Sequence, residues 1–472
     1  MIRFLHAHFP ARTVLLGISD ACLVTTAFLL ATVVRLGTTD ATLMLTYEQG
    51  ILKIVVISGA FMTCMYYFDL YESSVVSNPR EVLTRIIQVL GTVCILLALL
   101  YYVYPPVELG RGIFVVGFIL MAVLLFLWRR LFLTLNILPT FAERTLIFGD
   151  GPLSEPLLRE FRSRPELGVH VVSHLLGTGN GSNPATWERG ASPDTTAGTA
   201  SGDDLAHAVE SFHVNRIVIA MAERRGKLPV ELLLSLKSSG VAVQDGTDVY
   251  EAITGKVPIE SLRLGWLLFS SGFHVSRFLL FCKRFASILL SIIGLLLSVA
   301  LLPLVVLVIK LTSPGPILYR QKRVGRNGVV FDCYKVRTMR ADAEADSGPT
   351  WAGDEDPRIT TVGRFLRKSR IDEIPQLWNV LIGDMDFVGP RPERPEFVEW
   401  LNREIPHYHL RHRVRPGITG WAQIRYKYGS TVEESKEKLR YDLFYIKNMS
   451  IGLDLLILFN TFKVILLGRG AK

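Results

Sequence analysis

Two adjacent carboxylates in a basic segment are the residues of this sequence best suited to chemistry. Asp372 and Glu373 stand directly before Ile-Pro-Gln-Leu-Trp-Asn, and Pro375 is well placed in the first turn of a helix that would end at Gly383. Three cations precede the pair at helical spacings, namely Arg364, Arg367 and Lys368. Carboxylates beside cations and a helix N-terminus can bind a metal ion, attack a phosphorus atom, or both. Helix capping with surface ion pairs is the alternative that the spacing leaves open.

The segments around this pair carry further cations in a short strand and in turns. Residues 331–339 alternate their side chains, so Lys335 and Arg337 share one strand face. Prolines on both sides would hold Arg391 in a rigid turn, with its guanidinium oriented for bidentate contact with a phosphate. A glycine-rich loop that begins at Arg415 could cradle a phosphate or stack on a base. A solvated edge strand and ordinary turns would show the same pattern.

The positive charge of the chain is concentrated in this part. Of a net charge of +9, residues 310–472 hold almost all, since they carry 28 Lys and Arg against 20 Asp and Glu. The basic run at residues 313–325 directly follows an apolar stretch, and it would either form a collar for lipid head groups or contact a substrate. An anionic partner is therefore expected, and nucleic acid, anionic lipid and a phosphorylated substrate all fit the sign.

The elements that must position these residues include membrane helices. The chain has 472 residues, of which 49% are hydrophobic and 20% charged, with a mean hydropathy of +0.32. This composition excludes a disordered chain, and five separate cysteines exclude a disulfide-rich module. Four stretches reach the roughly 20 apolar residues that a membrane span needs, namely residues 13–34, 50–68, 86–104 and 113–138. We therefore expect a four-helix transmembrane domain over residues 1–140, with both its ends in the cytoplasm by the distribution of basic residues.

A second domain is expected over residues 141–268. Strand patterns alternate with helix patterns there, which is typical of a parallel α/β sheet. A dinucleotide site would need a third glycine after Gly149 and Gly151, and Leu153 and Ser154 stand where the motif should continue. We therefore expect a degenerate Rossmann-like cytoplasmic domain that acts as a spacer or dimerisation module and binds no cofactor.

A fifth apolar stretch, inside residues 275–312, carries basic residues at both ends. That flanking charge indicates that both ends lie on the cytoplasmic face. Pro303 lacks a backbone N–H and should break the helix, so a re-entrant hairpin satisfies both features. The alternative is a simple fifth span, which would place residues 313–472 outside the cell. The expected fold is thus a membrane protein with a transmembrane bundle, a Rossmann-like domain, a re-entrant helix and a mostly helical α/β catalytic domain at 313–472.

The C-terminal motifs together resemble the bacterial sugar transferase family. The motifs SPGPILYRQKRVG, YKVRTM, RIDEIPQLWNVLIGDMDFVGPRPE and RPGITGWAQ occur in order, and the resemblance covers roughly residues 275–472. The preceding region is similar to the large-architecture members of the family. The opening MIRFLHAHFPARTVLL resembles the subset associated with exosortase-linked exopolysaccharide clusters.

The resemblance implies a phosphoryl transfer at the bacterial inner membrane. Family enzymes move hexose-1-phosphate from a UDP-sugar to undecaprenyl phosphate and release UMP, which begins exopolysaccharide, capsule or O-antigen repeats. By this likeness, Asp372 would be the nucleophile and lie close to Mg²⁺, and Glu373 would assist as a base or metal ligand. The substrate phosphates would be met by a set of cations, Lys335, Arg337, Arg391, Arg367 and Arg415. Pro303 matches the break of the family's re-entrant helix.

Two other functions remain as alternatives to this transferase. A non-catalytic membrane scaffold or nucleotide sensor would explain the middle domain but not the intact carboxylate pair. A glycosyltransferase that cleaves the sugar–phosphate bond would release UDP, whereas a nucleophilic pair beside phosphate-binding cations favours attack at phosphorus. Nucleic acid is not an expected partner, because the basic residues cluster beside a membrane segment. A homodimer is expected, and no residue can be assigned to the choice of hexose.

Overall fold

The computed structural model contains two compact units, which divide between Val249 and Tyr250. It describes the chain apart from residues 1, 5–6, 10, 72–78, 138–141, 165–166, 178–198, 201, 222–223, 225–227, 262–271, 274, 313, 341–342, 344–355, 427–430 and 467–472. Two short strands, β1 (Ile2–Phe4) and β2 (Ala7–Phe9), pair near the N-terminus. Of the residues that we expected in the middle domain, Val257 already belongs to the core of the second unit.

Long apolar helices form the first part of the first unit, as predicted. They are α1 (Ala11–Tyr47), α2 (Gly50–Tyr67), α3 (Pro79–Val103) and α4 (Arg111–Ile137). Gly37 interrupts α1 with a φ of 80°, a conformation that glycine adopts without steric cost. Within the described residues, these four and a later helix are long and apolar enough to cross a membrane. The prediction of a membrane protein with an N-terminal bundle of apolar helices is confirmed.

The bundle has an aromatic core and one buried ion pair. The rings of Phe28 and Phe61 lie 6.0 Å apart, and that of Phe118 lies 5.1 Å from Phe61. Arg129 of α4 donates to the Asp20 carboxylate of α1 over 2.7 Å, with side-chain exposures of only 2% and 0%. Because a buried charge is tolerated only when it is paired, this contact fixes α1 against α4.

The middle part of the first unit is a parallel sheet, as predicted. Its strands are β3 (Glu143–Phe148), β4 (Val169–Gly177), β5 (Thr199–Ala200), β6 (Arg216–Ile219) and β7 (Ala242–Asp245). All described neighbours are parallel, in the order β5-β4-β3-β6-β7. The helices are α5 (Ser154–Ser163), α6 (Gly202–Ser211), α7 (Val230–Ser238) and α8 (Gly246–Thr254). The order places β3 at the centre, which is the Rossmann-like arrangement.

The glycine turn after β3 is closed on itself. Gly149 has a φ of 120°, and a Cβ there would lie 2.6 Å from the backbone nitrogen of Met221. The Ser154 hydroxyl donates to the Gly149 carbonyl over 2.7 Å, and the Gly151 amide donates to the carbonyl of Ala220 over 2.8 Å. In a dinucleotide site the amides of this turn face the pyrophosphate. Here the Gly151 amide is already engaged by the neighbouring strand end.

The second unit contains a broken apolar helix. α9 (Arg277–Ser298) and α10 (Leu302–Thr312) are separated by a turn at residues 299–301. Pro303 lies in the first turn of α10, where its missing N–H leaves no hydrogen bond unmade. The predicted break is therefore present, but it precedes Pro303 rather than lying at it. The return of α10 to the same membrane face stays a prediction.

The remaining elements of the second unit are short. A hairpin of β8 (Leu318–Val324) and β9 (Val330–Val336) is followed by a parallel pair, β10 (Asp386–Val388) and β11 (Gly417–Thr419). The helices are α11 (Thr361–Lys368), α12 (Gln376–Ile382), α13 (Pro395–Glu404), α14 (Trp421–Arg425), α15 (Val432–Lys447) and α16 (Ile451–Leu466). α15 and α16 supply much of the core, including Leu439, Leu443 and Ile457. The predicted mostly helical α/β domain is confirmed.

Removing one partner of the buried pair in the bundle should destabilise the protein strongly. Arg129→Met leaves the Asp20 carboxylate buried without its cation, which costs about 3–5 kcal/mol. The double variant Asp20→Leu with Arg129→Met should recover most of that loss. Thermal unfolding in detergent measures both, and Arg130→Met, at an exposed neighbour, is the matched control. A single variant as stable as the wild type would contradict this role of the pair.

Candidate active site

The two carboxylates lie in a tight turn between α11 and α12. Arg370 has a φ of 59° and reverses the chain, and a 3-10 turn then contains Asp372 and Glu373. Both are largely buried, with 7% and 8% of their surfaces exposed. α12 starts only at Gln376, and Pro375 occupies its N-cap. The carboxylates thus precede the helix instead of capping it, which corrects the expected position at its N-terminus.

Glu373 is held by two arginines. The Arg391 guanidinium donates to Oε1 of Glu373 over 2.5 Å, and that of Arg370 approaches the same oxygen at 3.5 Å. Burial raises the pKa of Glu373, but the charges of Arg391, Lys335 and Arg370 outweigh it and lower the pKa well below its usual value. Glu373 is therefore a fixed anion whose charge is matched by its surroundings.

Asp372 is placed differently from its neighbour. Its Oδ1 is buried and has no hydrogen-bond partner among the described residues. Burial raises the pKa of Asp372 and the charge of Glu373 raises it further, while Lys335, Arg391 and Arg367 act in the opposite direction. The cations thus act on both carboxylates, but among the described residues the arginine hydrogen bonds go to Glu373 and none goes to Oδ1 of Asp372.

Lys335 comes to the pair from β9. Burial lowers the pKa of its ammonium group, the charge of Arg391 lowers it further, and Glu373 opposes both. The charges of Lys335 and Glu373 thus influence each other, so the two residues lie in one region. The contact of Lys335 with a substrate phosphate stays a prediction. Val336, the next residue of β9, packs in a cluster with Ile371 of the 3-10 turn. The strand and the turn are therefore one packed unit.

Asn379 joins α12 to the same strand, which the sequence pattern did not indicate. It is fully buried, its Oδ1 accepts from the Tyr334 amide over 3.0 Å, and its Nδ2 donates to the Asp332 carbonyl over 2.7 Å. Nδ2 also lies 3.2 Å from the Asp384 carboxylate. The side chain thus satisfies backbone groups of β9 that a neighbouring strand would otherwise bond. It therefore sets the distance between the strand of Lys335 and the helix that follows the pair.

The turn that carries Arg391 is held through its backbone. The buried Arg411 donates to the Arg391 carbonyl over 2.9 Å and is itself paired with Asp442 at 2.8 Å. Arg323 donates to the Pro392 carbonyl over 3.0 Å. With each carbonyl engaged, the Arg391 side chain starts from a fixed backbone, as a preorganised cation requires. The sequence indicated a rigid turn from its prolines but gave no signal for Arg411.

The glycines of this turn allow two loops to touch. A Cβ on Gly417 would lie 2.1 Å from the Gly389 nitrogen, and one on Gly420 would lie 2.2 Å from the Gly389 oxygen. The parallel pairing of β10 with β11 continues here, since Gly389 donates to the Thr419 carbonyl over 2.8 Å. The motifs GPRP and RPGITG thus form one structural unit.

The other predicted cations are placed unequally. Arg367 donates to the Thr338 hydroxyl over 2.9 Å and influences Asp372, so it belongs to the site. Arg337 is directed to the Pro314 carbonyl at 2.8 Å, and Arg415 lies 3.8 Å from the Asp386 carboxylate. The described contacts bring neither of these two to the pair, and their phosphate contacts stay predictions. Of the predicted cationic helix face, two members are exposed, Arg364 and Lys368.

The two arms of the broken apolar helix, α9 and α10, hold both flanks of the pair. Arg284 of α9 donates to the Val380 and Leu381 carbonyls at the end of α12, over 2.7 and 3.0 Å. Val305 and Ile309 of α10 pack in the cluster that contains Ile371. Because α12 follows the pair and Ile371 precedes it, both arms of the broken helix support the reactive turn.

The site fits a magnesium ion that is held partly by the protein and partly by substrate phosphates. Among the described residues no group of three His, Cys, Asp or Glu side chains could hold a metal ion by itself. Asp372 nevertheless has a buried carboxylate oxygen without a partner. Mg²⁺ is commonly held by one or two carboxylates and by substrate phosphates, and one free carboxylate meets that requirement.

The arrangement is suited to nucleophilic attack on an anion. One carboxylate is free, the other is neutralised, and the cations of Lys335, Arg391 and Arg367 can compensate charge on an incoming group. Transfer of a phosphoryl group needs mainly position and such compensation. Every contact described for this site lies within residues 250–472.

Comparison with known proteins defines the family. A family model described as bacterial sugar transferase matches residues 278–468, which include the whole site. The exopolysaccharide production protein PSS of Rhizobium leguminosarum bv. phaseoli is 44% identical over 184 residues, which are 38% of this chain and 92% of that protein. The chain belongs to the bacterial sugar transferase family. The resemblance that the motifs indicated is confirmed.

Longer relatives match this bacterial sugar transferase only in part. The UDP-N-acetylgalactosamine-undecaprenyl-phosphate N-acetylgalactosaminephosphotransferase of Aeromonas hydrophila is 44% identical over 227 residues, 48% of this chain and 52% of that protein. The UDP-glucose:undecaprenyl-phosphate glucose-1-phosphate transferase of Escherichia coli K12 is 35% identical over 326 residues, 67% of this chain and 66% of that protein. A second family model, described as a CoA-binding domain, matches residues 66–244.

Replacing Asn379 should reduce both stability and turnover of this sugar transferase. Asn379→Leu leaves the Tyr334 amide without its acceptor, which costs about 1–3 kcal/mol. Since β9 carries Lys335, we expect turnover to fall more than the unfolding temperature alone would explain. Thermal unfolding and initial rates on the same preparation test this, with Asn402→Leu, at an exposed site of α13, as control. Unchanged rates in a folded variant would contradict it.

Proposed function

We propose that this sugar transferase moves hexose-1-phosphate from a UDP-hexose to undecaprenyl phosphate and releases UMP. The observation that carries the proposal is the buried, unpartnered Oδ1 of Asp372 beside a carboxylate neutralised by Arg391. The names of the relatives from A. hydrophila and E. coli specify undecaprenyl phosphate and a sugar-phosphate transfer. The lipid diphosphate hexose that forms would begin the repeat unit of an exopolysaccharide, a capsule or an O-antigen.

The first step is attack by Asp372 on the phosphorus that bears the hexose. A P–O bond forms between the carboxylate and that phosphorus, and the P–O bond to the bridging oxygen breaks. UMP leaves with the bridging oxygen and its electron pair, and a phosphosugar remains on Asp372. The free state of Asp372 supports this role, because a carboxylate tied to an arginine would have to break that contact first.

The second step regenerates the free carboxylate of Asp372. An oxygen of undecaprenyl phosphate attacks the same phosphorus, the P–O bond to Asp372 breaks, and a diphosphate linkage forms. Lys335, Arg391 and Arg367 compensate the charge on the phosphoryl oxygens in both steps. Glu373 keeps Arg391 oriented and assists as a base or as a second metal ligand. Arg337 and Arg415 are proposed to meet more distant phosphates of the substrates.

Mg²⁺ is the proposed cofactor, held by Asp372 and the phosphates of the donor. When bound, it would neutralise charge on the diphosphate. The chain itself supplies the geometry. Lys335 precedes the carboxylate pair in the sequence and Arg391 follows it, and Asn379 fixes the strand that bears Lys335.

We place this chemistry at the cytoplasmic face of the bacterial inner membrane. A lipid phosphate acceptor has to be met at the bilayer surface, and α9 with α10 would enter and return as a re-entrant hairpin. α9 and α16 expose large apolar side chains, such as Phe281, Phe285, Leu455 and Phe459, which supports contact with lipid. A homodimer is our further expectation.

The decisive test is the nucleotide that is released. Detergent-purified protein, given a panel of UDP-hexoses, undecaprenyl phosphate and Mg²⁺, should release UMP, and EDTA should stop the release. Asp372→Asn should lower turnover by at least about 10³-fold, because the nucleophile is lost. Glu399→Gln, on the exposed face of α13, should keep full activity. Release of UDP instead of UMP, or full turnover by Asp372→Asn, would refute the mechanism.

The pH dependence should report the coupling between the two carboxylates. Burial and the Glu373 charge raise the pKa of Asp372, so activity should decline, as the pH falls, at a pH above the usual range for aspartate. In Glu373→Gln one negative charge is lost, which lowers the pKa of Asp372 and shifts that decline to lower pH. The pH profile of UMP release, recorded on the residual activity of Glu373→Gln, measures this shift. Glu399→Gln should leave the pH of the decline unchanged. A decline that stays in place would show that the carboxylates are not coupled.

A further inference from the structure

Three polar residues form one buried stripe through the reactive turn and α12. Asp372 lies in the 3-10 turn, and Gln376 and Asn379 follow it in α12 at spacings of four and three. Ile374 and Pro375, which join the two elements, keep helical backbone angles, so the three side chains lie on one side of the segment. Their exposures are 7%, 2% and 0%. From the sequence, the apolar side chains of this segment were more conspicuous, but Trp378 is 54% exposed. The buried side of α12 is therefore partly polar, since Gln376 and Asn379 are buried beside Leu377 and Val380.

The members of the stripe differ in how their hydrogen bonds are satisfied. Asn379 has partners at both of its side-chain polar atoms. Nε2 of Gln376 is buried without a hydrogen-bond partner in the described part of the chain, and the same holds for Oδ1 of Asp372 one turn away. A buried donor without an acceptor costs about 1–3 kcal/mol, and folded proteins hold few of them. Within the described residues, this donor and this acceptor do not bond to each other.

Gln376 lies between two points where the helix segment is tied to β9. Asn379 binds the backbone of Asp332 and Tyr334, and Ile371 packs with Val336. The segment therefore follows β9 past Lys335 toward the reactive turn, and Gln376 occupies its middle. Its side chain is 2% exposed, so its amide faces the protein and not solvent.

We infer that Gln376 is a substrate-contacting residue whose Nε2 donates to a non-bridging oxygen of the phosphoryl group that Asp372 attacks. This rests on the proposed phosphosugar transfer. A phosphoryl group on Asp372 presents only acceptor oxygens, and these match an amide donor one turn along the same face. Because charge accumulates on those oxygens during transfer, a fixed neutral donor stabilises the transition state more than the bound substrate.

The test replaces the amide by an uncharged side chain of similar length. Gln376→Met should unfold at the wild-type temperature or above it, because the wild type gains no internal hydrogen bond from Nε2. Its kcat for UMP release should fall on the order of 10²-fold, with the KM for UDP-hexose little changed. Asn402→Met, at an exposed site of α13, is the matched control and should leave stability and rates unchanged. A purely structural side chain would give the opposite result, a lower unfolding temperature with kcat preserved.

A second variant keeps the inference testable if Gln376→Met does not fold. Gln376→Glu keeps the length of the side chain but replaces the amide donor by a carboxylate, which repels the phosphoryl oxygens, so its kcat should fall at least as far as that of Gln376→Met. Wild-type kcat in folded Gln376→Met, a raised KM with unchanged kcat, or wild-type kcat in folded Gln376→Glu would each overturn the assignment. A wild-type protein that releases no UMP would overturn the proposed function, and this inference with it.

Discussion

Two neighbouring buried carboxylates cannot both keep their charge without cations around them, and the second unit is organised about this constraint. The chain meets it unequally. Arg391 and Arg370 neutralise Glu373, whereas Asp372 shares the surrounding field without a hydrogen bond to Oδ1. This division gives two identical functional groups different states, one a fixed anion and one a carboxylate free to react. A shared arginine between both would have made them equivalent.

Maintaining this division requires support from distant parts of the chain. Arg391 reaches Glu373 from a turn whose backbone is held by Arg411, and Arg411 is in turn paired with Asp442 in the core. The broken apolar helix adds further support, because Arg284 of α9 binds the end of α12. If the site acts on a lipid phosphate, as we propose, its reactive turn is attached directly to the helices that would lie in the bilayer. In that case the same helices would set both the position of the site at the membrane and the geometry of the carboxylates.

The elements were predictable because their signals are local. The length of the apolar stretches predicted the helices of the bundle. The alternation of strand and helix patterns predicted the parallel sheet and the helices beside it, such as α7 (Val230–Ser238). The glycine that ends α12, Gly383, was correctly expected, since its φ of 103° suits glycine alone. Pro303 shows the limit of such signals. A proline marks that a helix cannot continue through its position, but whether it ends one helix or begins the next depends on the neighbouring turns.

The sequence by itself determined the family and the apolar segments, and it singled out the carboxylate pair, because motif order and hydrophobic length are properties of the chain alone. Only the tertiary structure decided which carboxylate is free and which cation neutralises the other. Arg391 lies 18 residues from Glu373, and Arg337, equally basic and also in a motif, instead contacts the Pro314 carbonyl. Spacing along the chain carries no information about such partners, since a side chain's charge is matched by whatever the fold brings within hydrogen-bond distance.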